Sequence, residues 1–145
     1  FLQAGIWKTP LSLYEHILIY EPTKAKLLNN YAMELNQIGN SAKAEELYKK
    51  AISIDDSYAQ THHNLGMLYL NQGKIQAALQ EYSLALKIDP RLFQSHTYSG
   101  KVYFNANQMK LAYEEFKKSL EIFPTPEAED GLRRSKEKLE LLHEE

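Results

Sequence analysis

Apolar and small residues recur along this chain at a fixed spacing of 34 positions. Residues 34 positions apart form a column, and one column is aromatic: Tyr14, Tyr48, Tyr82 and Phe116. Two other columns hold mostly small residues: Pro10, Ala44, Ala78 and Ala112, and Ile17, Ala51, Ala85 and Ser119. A repeat of this length is one supersecondary unit that buries its apolar face only against its neighbours. The pattern therefore predicts a stack of helix-turn-helix repeats with a thin core spread along its length.

Columns of glycine and proline predict where the helices end. Gly39 and Gly73 stand at the end of the first helix of their repeats, where a residue in the left-handed conformation completes the turn. Asn107 takes that place in the last repeat, and asparagine tolerates positive φ better than most residues. Pro90 and Pro124 cannot continue a helix, so each is expected to end its unit.

Helix starts and one irregular turn are predicted as well. Asp56 stands where the column has proline, so the turn after the first full repeat should be looser. Ser57 with Gln60 predicts a capping box. Thr125 before Pro126 predicts a cap followed by a proline at the first helical position.

The period and the residue types resemble the tetratricopeptide repeat (TPR) family. The best match covers residues 59–92, where the family's slots hold Leu65, Gly66, Tyr69, Ala78, Tyr82, Ala85 and Pro90. The resemblance implies an all-α fold, a right-handed α-solenoid with a C-terminal capping helix. It predicts one domain over 1–145, with a partial repeat at 1–24, full repeats at 25–58, 59–92 and 93–126, and a capping helix at 127–143.

The last predicted helix carries one apolar stripe on a charged background. The stripe advances in steps of four and three residues, through Ala128, Leu132, Ser135, Leu139 and Leu142. A helix with one apolar face and a polar back closes the end of a solenoid. We expect its leucines to pack against the last repeat around Phe116 and Leu120.

Composition and charge exclude several classes of function. The formal net charge of −2 argues against nucleic-acid binding by bulk electrostatics. The chain has no cysteine, which excludes disulfides and thiolate metal sites. No apolar run approaches the roughly 20 residues of a membrane span, so this segment is not expected to insert into a membrane.

The histidines do not predict a metal or catalytic centre. His62 and His96 occupy the same slot of successive repeats, about 10 Å apart, and two ligands of one ion cannot be that distant. We interpret both imidazoles as packing groups that replace the family's inter-helix tryptophan. No residue combination predicts a catalytic, cofactor-binding or metal site.

The family resemblance directs attention to one face of the first helix in each repeat, which lines a concave groove in TPR proteins. Nine of the 18 residues in these slots are Asn or Gln, and none is Asp or Glu. Side-chain amides can pair with a peptide backbone, and exposed Met and aromatic groups on a concave surface favour binding. The predicted peptide-binding residues are Asn29, Asn30, Met33, Gln60, His63, Asn64, Met67, Leu70, Tyr98, Lys101 and Phe104.

Two TPR subclasses and the groove charges refine the expected ligand. Lys26 and Lys101 have no acid opposite, which favours neutral or mildly acidic peptides. One TPR subclass clamps the carboxylate of chaperone tails with Lys, Asn and Arg side chains in five slots. In this chain the five slots hold Asn29, Met33, Asn64, Gln94 and Tyr98, and only Asn64 is the residue that the subclass has there. A chaperone-tail adaptor is therefore not expected. Asn30 and Asn64 match the asparagine ladder of O-GlcNAc transferases, and Tyr98 interrupts it.

A weaker resemblance concerns the beginning of the chain. Trp7-Lys8, Leu11, Leu13-Tyr14-Glu15 and Pro22 resemble the segment that opens the TPR region of membrane proteins related to O-mannosyltransferases. Two functions are therefore predicted: a scaffold or adaptor that binds a protein or peptide partner, and the soluble substrate-recognition arm of a larger membrane-bound glycosyltransferase. The surface around Trp7, Leu11 and Tyr14 also suggests self-association through the N-terminal edge.

Overall fold

The computed structural model describes residues 9–141, which form eight α-helices and no β-strand. The helices are α1 Pro10–Tyr20, α2 Ala25–Gln37, α3 Ser41–Ile54, α4 Ala59–Asn71, α5 Ile75–Ile88, α6 Phe93–Asn105, α7 Met109–Ile122 and α8 Pro126–Leu141. They pack as the pairs α2/α3, α4/α5 and α6/α7, and α8 packs on α7 and α6. Contacts of α2 with α4 and of α4 with α6 place the first helices in one layer. The predicted all-α solenoid is confirmed.

The three turns inside the helix pairs have the predicted backbone. Gly39 has φ +87°, Gly73 has φ +72° and Asn107 has φ +59°. In the first of these turns the Asn40 N–H donates to the Leu35 carbonyl at 2.8 Å, which satisfies a carbonyl left free at the helix end. The left-handed residue allows the chain to reverse without breaking the last helical turn.

The predicted capping box at Ser57 and Gln60 is wrong. Helix α4 begins after Tyr58, which gives no side-chain cap. The Ser57 hydroxyl and N–H instead donate to a carboxylate oxygen of Asp55, at 2.6 and 2.9 Å. A carboxylate two residues earlier in the chain outcompetes the helix terminus for the serine.

The other predicted start is confirmed. Helix α8 begins at Pro126, and the Thr125 hydroxyl accepts from the Ala128 N–H at 3.2 Å. The threonine satisfies one of the free N–H groups at the helix terminus, and the proline occupies a position where no N–H is needed.

The aromatic and alanine columns build the core. Tyr48, Tyr82 and Phe116 are at most 2% exposed, and the alanines at 44, 78 and 112 are fully buried. A Cβ added at Gly66 would lie 2.6 Å from the Tyr82 ring, so only glycine allows α4 to approach α5 this closely. The small residues therefore set the distance between paired helices.

Helix α8 covers the end of the last pair as expected. Ala128 and Ser135 are fully buried, and Leu132 packs against the cluster around Phe116. Gly131, which the sequence interpretation overlooked, lies so close to Phe116 that an added Cβ would meet the ring at 2.5 Å. Leu142, predicted as part of the stripe, lies outside the described residues.

The N-terminal helix α1 packs on the same core. Leu11, Tyr14 and Leu18 contact the cluster that extends through α2 to α5. The rings of Tyr14 and Tyr31 lie 6.1 Å apart. Trp7, on which part of the predicted self-association rests, lies outside the described residues.

Candidate functional site

The predicted binding residues lie on one layer of three helices, α2, α4 and α6, and we call the surface they form the groove face. Met33 is the most exposed of them, at 37%. Asn29 and His63 are buried, at 2% and 3% exposed, and the other eight are half-buried. The sequence interpretation placed all eleven on the surface, whereas Asn29 and His63 form the floor beneath it.

Four amide side chains form a continuous hydrogen-bonded chain across the groove face. The Gln60 amide donates to Asn64 at 3.0 Å, Asn64 donates to Asn29 at 3.0 Å, and Asn29 donates to Asn30 at 3.1 Å. The chain links α4 to α2, and thus one repeat to the next. It leaves the side-chain N–H groups of Asn30 and the side-chain carbonyl of Gln60 without a partner among the described residues. Both ends of the chain are therefore able to pair with a ligand.

An aromatic cluster forms the middle of the groove face. The His63 ring lies 5.6 Å from the Tyr82 ring and 5.5 Å from the Tyr98 ring, and its Nδ1 is 2.9 Å from the Ser95 hydroxyl. Burial lowers the pKa of His63 to about 4, so its imidazole is neutral at pH 7. The Tyr82 hydroxyl is buried and has no hydrogen-bond partner in the described part of the chain. A neutral platform beneath Tyr98 results.

The last helix covers the C-terminal end of the groove face. The Phe104 ring centroid lies 4.7 Å from the Arg134 guanidinium and 4.6 Å from the Lys138 ammonium. The Lys101 ammonium lies 4.5 Å above the Tyr98 ring and also pairs with Glu127. The expectation that Lys101 has no acid opposite is therefore wrong, because α8 brings a carboxylate from outside the repeats.

Equivalent cavities open at the start of two first helices. One of about 540 Å³ is lined by Lys26, Asn30 and Ile54. The other, of about 310 Å³, lies one repeat further on and is lined by Gln60 and Ile88. Each joins a polar residue of the groove face to an isoleucine at the end of a second helix, and each is large enough for a side chain of a bound segment.

Sequence reasoning missed a buried, hydrogen-bonded histidine with two carboxylate partners in the second full repeat. His62 is 4% exposed, and its Nδ1 lies 2.7 Å from Glu81 while its Nε2 lies 2.7 Å from Asp56. The hydrogen bond to Glu81 raises the pKa of His62, against the effect of burial and with a further contribution from Asp56. Asp56, predicted only to loosen a turn, ties that turn to α4.

The pair recurs in the third full repeat. His96 Nδ1 lies 2.7 Å from Glu115, and its Nε2 lies 3.2 Å from the carbonyl oxygen of Pro90. Both imidazoles are buried as predicted, but as hydrogen-bonded polar groups rather than as apolar packing. The signal was present in the sequence, because the two glutamates also stand 34 residues apart.

Two features are absent from residues 9–141. No group of three or more His, Cys, Asp or Glu residues there is placed to hold a metal ion. None of its helices combines the length and apolar character that crossing a membrane requires.

Family models described as tetratricopeptide repeat match residues 23–91 and 95–126. The Sgt2 TPR domain from Aspergillus fumigatus is similar, with a TM-score of 0.75 and 22% identity over 83% of this chain and 82% of that chain. The first TPR of Spaghetti (RPAP3), bound to an HSP90 peptide, is also similar, with a TM-score of 0.76 and 21% identity over 80% of this chain and 95% of that chain.

One curated relative has a higher local identity. A protein O-mannosyl-transferase of Caenorhabditis elegans is 42% identical over 60 residues, which is 41% of this chain and 9% of the relative. The chain thus matches less than a tenth of that protein's length.

Proposed function

This chain belongs to the tetratricopeptide repeat family, and we propose that it is a protein-interaction module, a scaffold or adaptor, whose groove face binds a peptide segment of a partner protein. The observation that carries this proposal is the combination of an amide chain with free ends and an aromatic cluster on one face. A protein with a similar fold is bound to a peptide, which supports the same class of ligand.

The amide chain is suited to a peptide backbone. A peptide presents an acceptor and a donor at nearly every residue. The free side-chain N–H groups of Asn30 can donate to a peptide carbonyl, and the free side-chain carbonyl of Gln60 can accept from a peptide N–H. Because the four amides hold one another, their orientation is set before a ligand arrives, and less conformational freedom is lost on binding.

The aromatic cluster supplies side-chain selectivity. Tyr98 is half-buried, stands above the neutral His63 ring and is flanked by the Lys101 ammonium. An aromatic anchor on such a platform typically contributes about 2 kcal/mol or more to binding when it is fully desolvated. Phe104 lies under two cations of α8, so an acidic side chain of the partner that reaches this end meets Arg134 and Lys138.

Selection from a peptide array tests this function. Peptides selected on the wild-type domain are titrated against Tyr98→Ala and Asn30→Ala. Tyr113→Ala, which removes a half-buried tyrosine of α7, serves as the matched control. We expect Tyr98→Ala to weaken binding roughly 30-fold, or about 2 kcal/mol, and Asn30→Ala to weaken it several-fold. Equal affinity for all four proteins, each verified as folded, would exclude the groove face as the binding site.

A second candidate is favoured by the curated relative. In this alternative, the domain is the substrate-recognition arm of a larger membrane-bound glycosyltransferase, and chemistry takes place elsewhere in that protein. The supporting observation is the 42% identity over 60 residues to an O-mannosyl-transferase. Sequencing the complete transcript separates the two: apolar segments of about 20 residues before these repeats favour the enzyme arm, and further repeats favour the scaffold.

A further inference from the structure

Another cavity lies on the side of α6 that faces away from the groove face. It is an open cavity of about 310 Å³ lined by residues of α5, α6 and α7. Its polar lining residues are Ser83, Lys87, His96, Ser99, Tyr103, Glu115 and Lys118. None of these residues belongs to the groove face, so a ligand here is independent of a peptide bound there.

The Ser99 hydroxyl lines this cavity and has no hydrogen-bond partner among the described residues. The residue as a whole is only 5% exposed. Among the described residues, only Thr61 and Tyr82 carry a fully buried side-chain oxygen without a partner, so the Ser99 hydroxyl is still reached from the cavity and is open to a ligand. The helix offers its own carbonyls to such a serine, as Thr97 shows with Phe93 at 3.1 Å, yet Ser99 does not use them.

The carboxylate in the cavity is already paired. One oxygen of Glu115 lies 2.7 Å from His96 Nδ1, and the other lies 2.8 Å from the Lys118 ammonium. Burial acts to raise the pKa of Glu115, but the hydrogen bonds from His96 and Lys118 hold that pKa below its usual value. The carboxylate is therefore ionised at neutral pH with both oxygens engaged, and it is not available as an acceptor for a ligand.

The groups that are left are all able to donate. Lys87 and the hydroxyls of Ser83, Ser99 and Tyr103 make no hydrogen bond or ion pair with a described residue. Two lysines against one glutamate give the lining a net charge of +1 (2 − 1), with His96 counted as neutral. We infer that this cavity binds an anionic oxygen group, the carboxylate or phosphate of a small ligand, through the Lys87 ammonium and the Ser99 hydroxyl.

The test is a titration of isotope-labelled protein with inorganic phosphate and, separately, with acetate, each against sodium chloride of equal ionic strength. Backbone amide signals report the site. We expect saturable shifts at Ser99 and Tyr103 with at least one of the two oxyanions, and which of them binds tells phosphate from carboxylate. In Lys87→Gln/Ser99→Ala the affinity should fall about tenfold or more.

Lys50→Gln is the matched control, because Lys50 is an exposed lysine of α3 outside the cavity. It should leave the titration unchanged. Ser99→Ala alone should not lower the melting temperature, since the hydroxyl has no partner to lose. Shifts that are equal in chloride, that do not saturate, or that persist in the double variant would overturn the inference and indicate screening of surface charge.

Discussion

The Nδ1 atom of His62 lies 2.7 Å from a carboxylate oxygen of Glu81, in the interior of a helix pair. The same arrangement recurs one repeat later between His96 and Glu115. In the first full repeat, leucines occupy the two corresponding slots, at 28 and 47. One position in the fold is therefore filled either by a buried polar pair or by an apolar pair.

The polar pair should make stability depend on pH. The pKa of His62 is raised above its ordinary 6.5, so the folded state holds this proton more tightly than the unfolded chain does. The resulting stabilisation is complete below pH 6.5 and is lost as pH rises through the raised pKa of His62. In urea unfolding between pH 6 and pH 9, the free energy of unfolding of the wild type should fall by this contribution. The His62→Leu/Glu81→Leu variant should not show this fall. Parallel pH profiles for the two proteins would contradict the assignment.

Removing one partner of the His62–Glu81 pair should lower the free energy of unfolding more than replacing both partners with leucine. Glu81→Leu alone leaves His62 buried without its main partner, which typically costs about 3 kcal/mol. His62→Leu/Glu81→Leu recreates the apolar pair of the first repeat and should lie within about 1 kcal/mol of wild type. Chemical unfolding of the three proteins at pH 7 measures both differences. A double variant as unstable as Glu81→Leu would show that the site has no room for the apolar pair.

His63 should make the folded state less stable at low pH, the opposite of the effect of His62, and in a lower pH range. Burial lowers its pKa to about 4, so between pH 6.5 and 4 the unfolded chain takes up a proton that the folded state refuses. Stability should therefore fall as pH falls through this range, by up to about 1.4 kcal/mol for each pH unit. Titration of the histidine ring signals by NMR checks the midpoint directly. A midpoint for His63 near 6.5 would mean that its ring is solvated.

Gly131→Ala should loosen the last helix. An added Cβ would lie 2.5 Å from the Phe116 ring, which is itself 2% exposed and has little space to move. Overpacking of this kind typically costs about 1–3 kcal/mol. Thermal unfolding measures the loss, and Gly131→Ala combined with Phe116→Leu should recover part of it. Unchanged melting of the single variant would indicate that α8 shifts freely on α7.

The sequence interpretation succeeded where one residue type alone meets a physical demand. The positive φ at Gly39 and the burial of the aromatic column follow from local chemistry that repeats every 34 residues. It failed where a contact joins elements with no fixed spacing. Glu127 reaches Lys101 from a helix outside the repeats, and no periodic pattern encodes that contact.

The groove face shows the same limit. The positions of its residues were predictable from their slots, but the depth of Asn29 was not, because it depends on the amide chain through Asn64. Likewise, the open hydroxyl of Ser99 becomes apparent only when α5, α6 and α7 are assembled around it.

The most direct measurement of the central claim is amide chemical-shift mapping of the domain with a peptide selected on it. We predict that the largest shifts fall on the groove face, at Asn30, Gln60, Asn64 and Tyr98, and that they saturate at micromolar peptide, which is equivalent to about −8 kcal/mol. Largest shifts on α3, α5 and α7, with the groove face unchanged, would contradict the account and place the partner on the opposite layer.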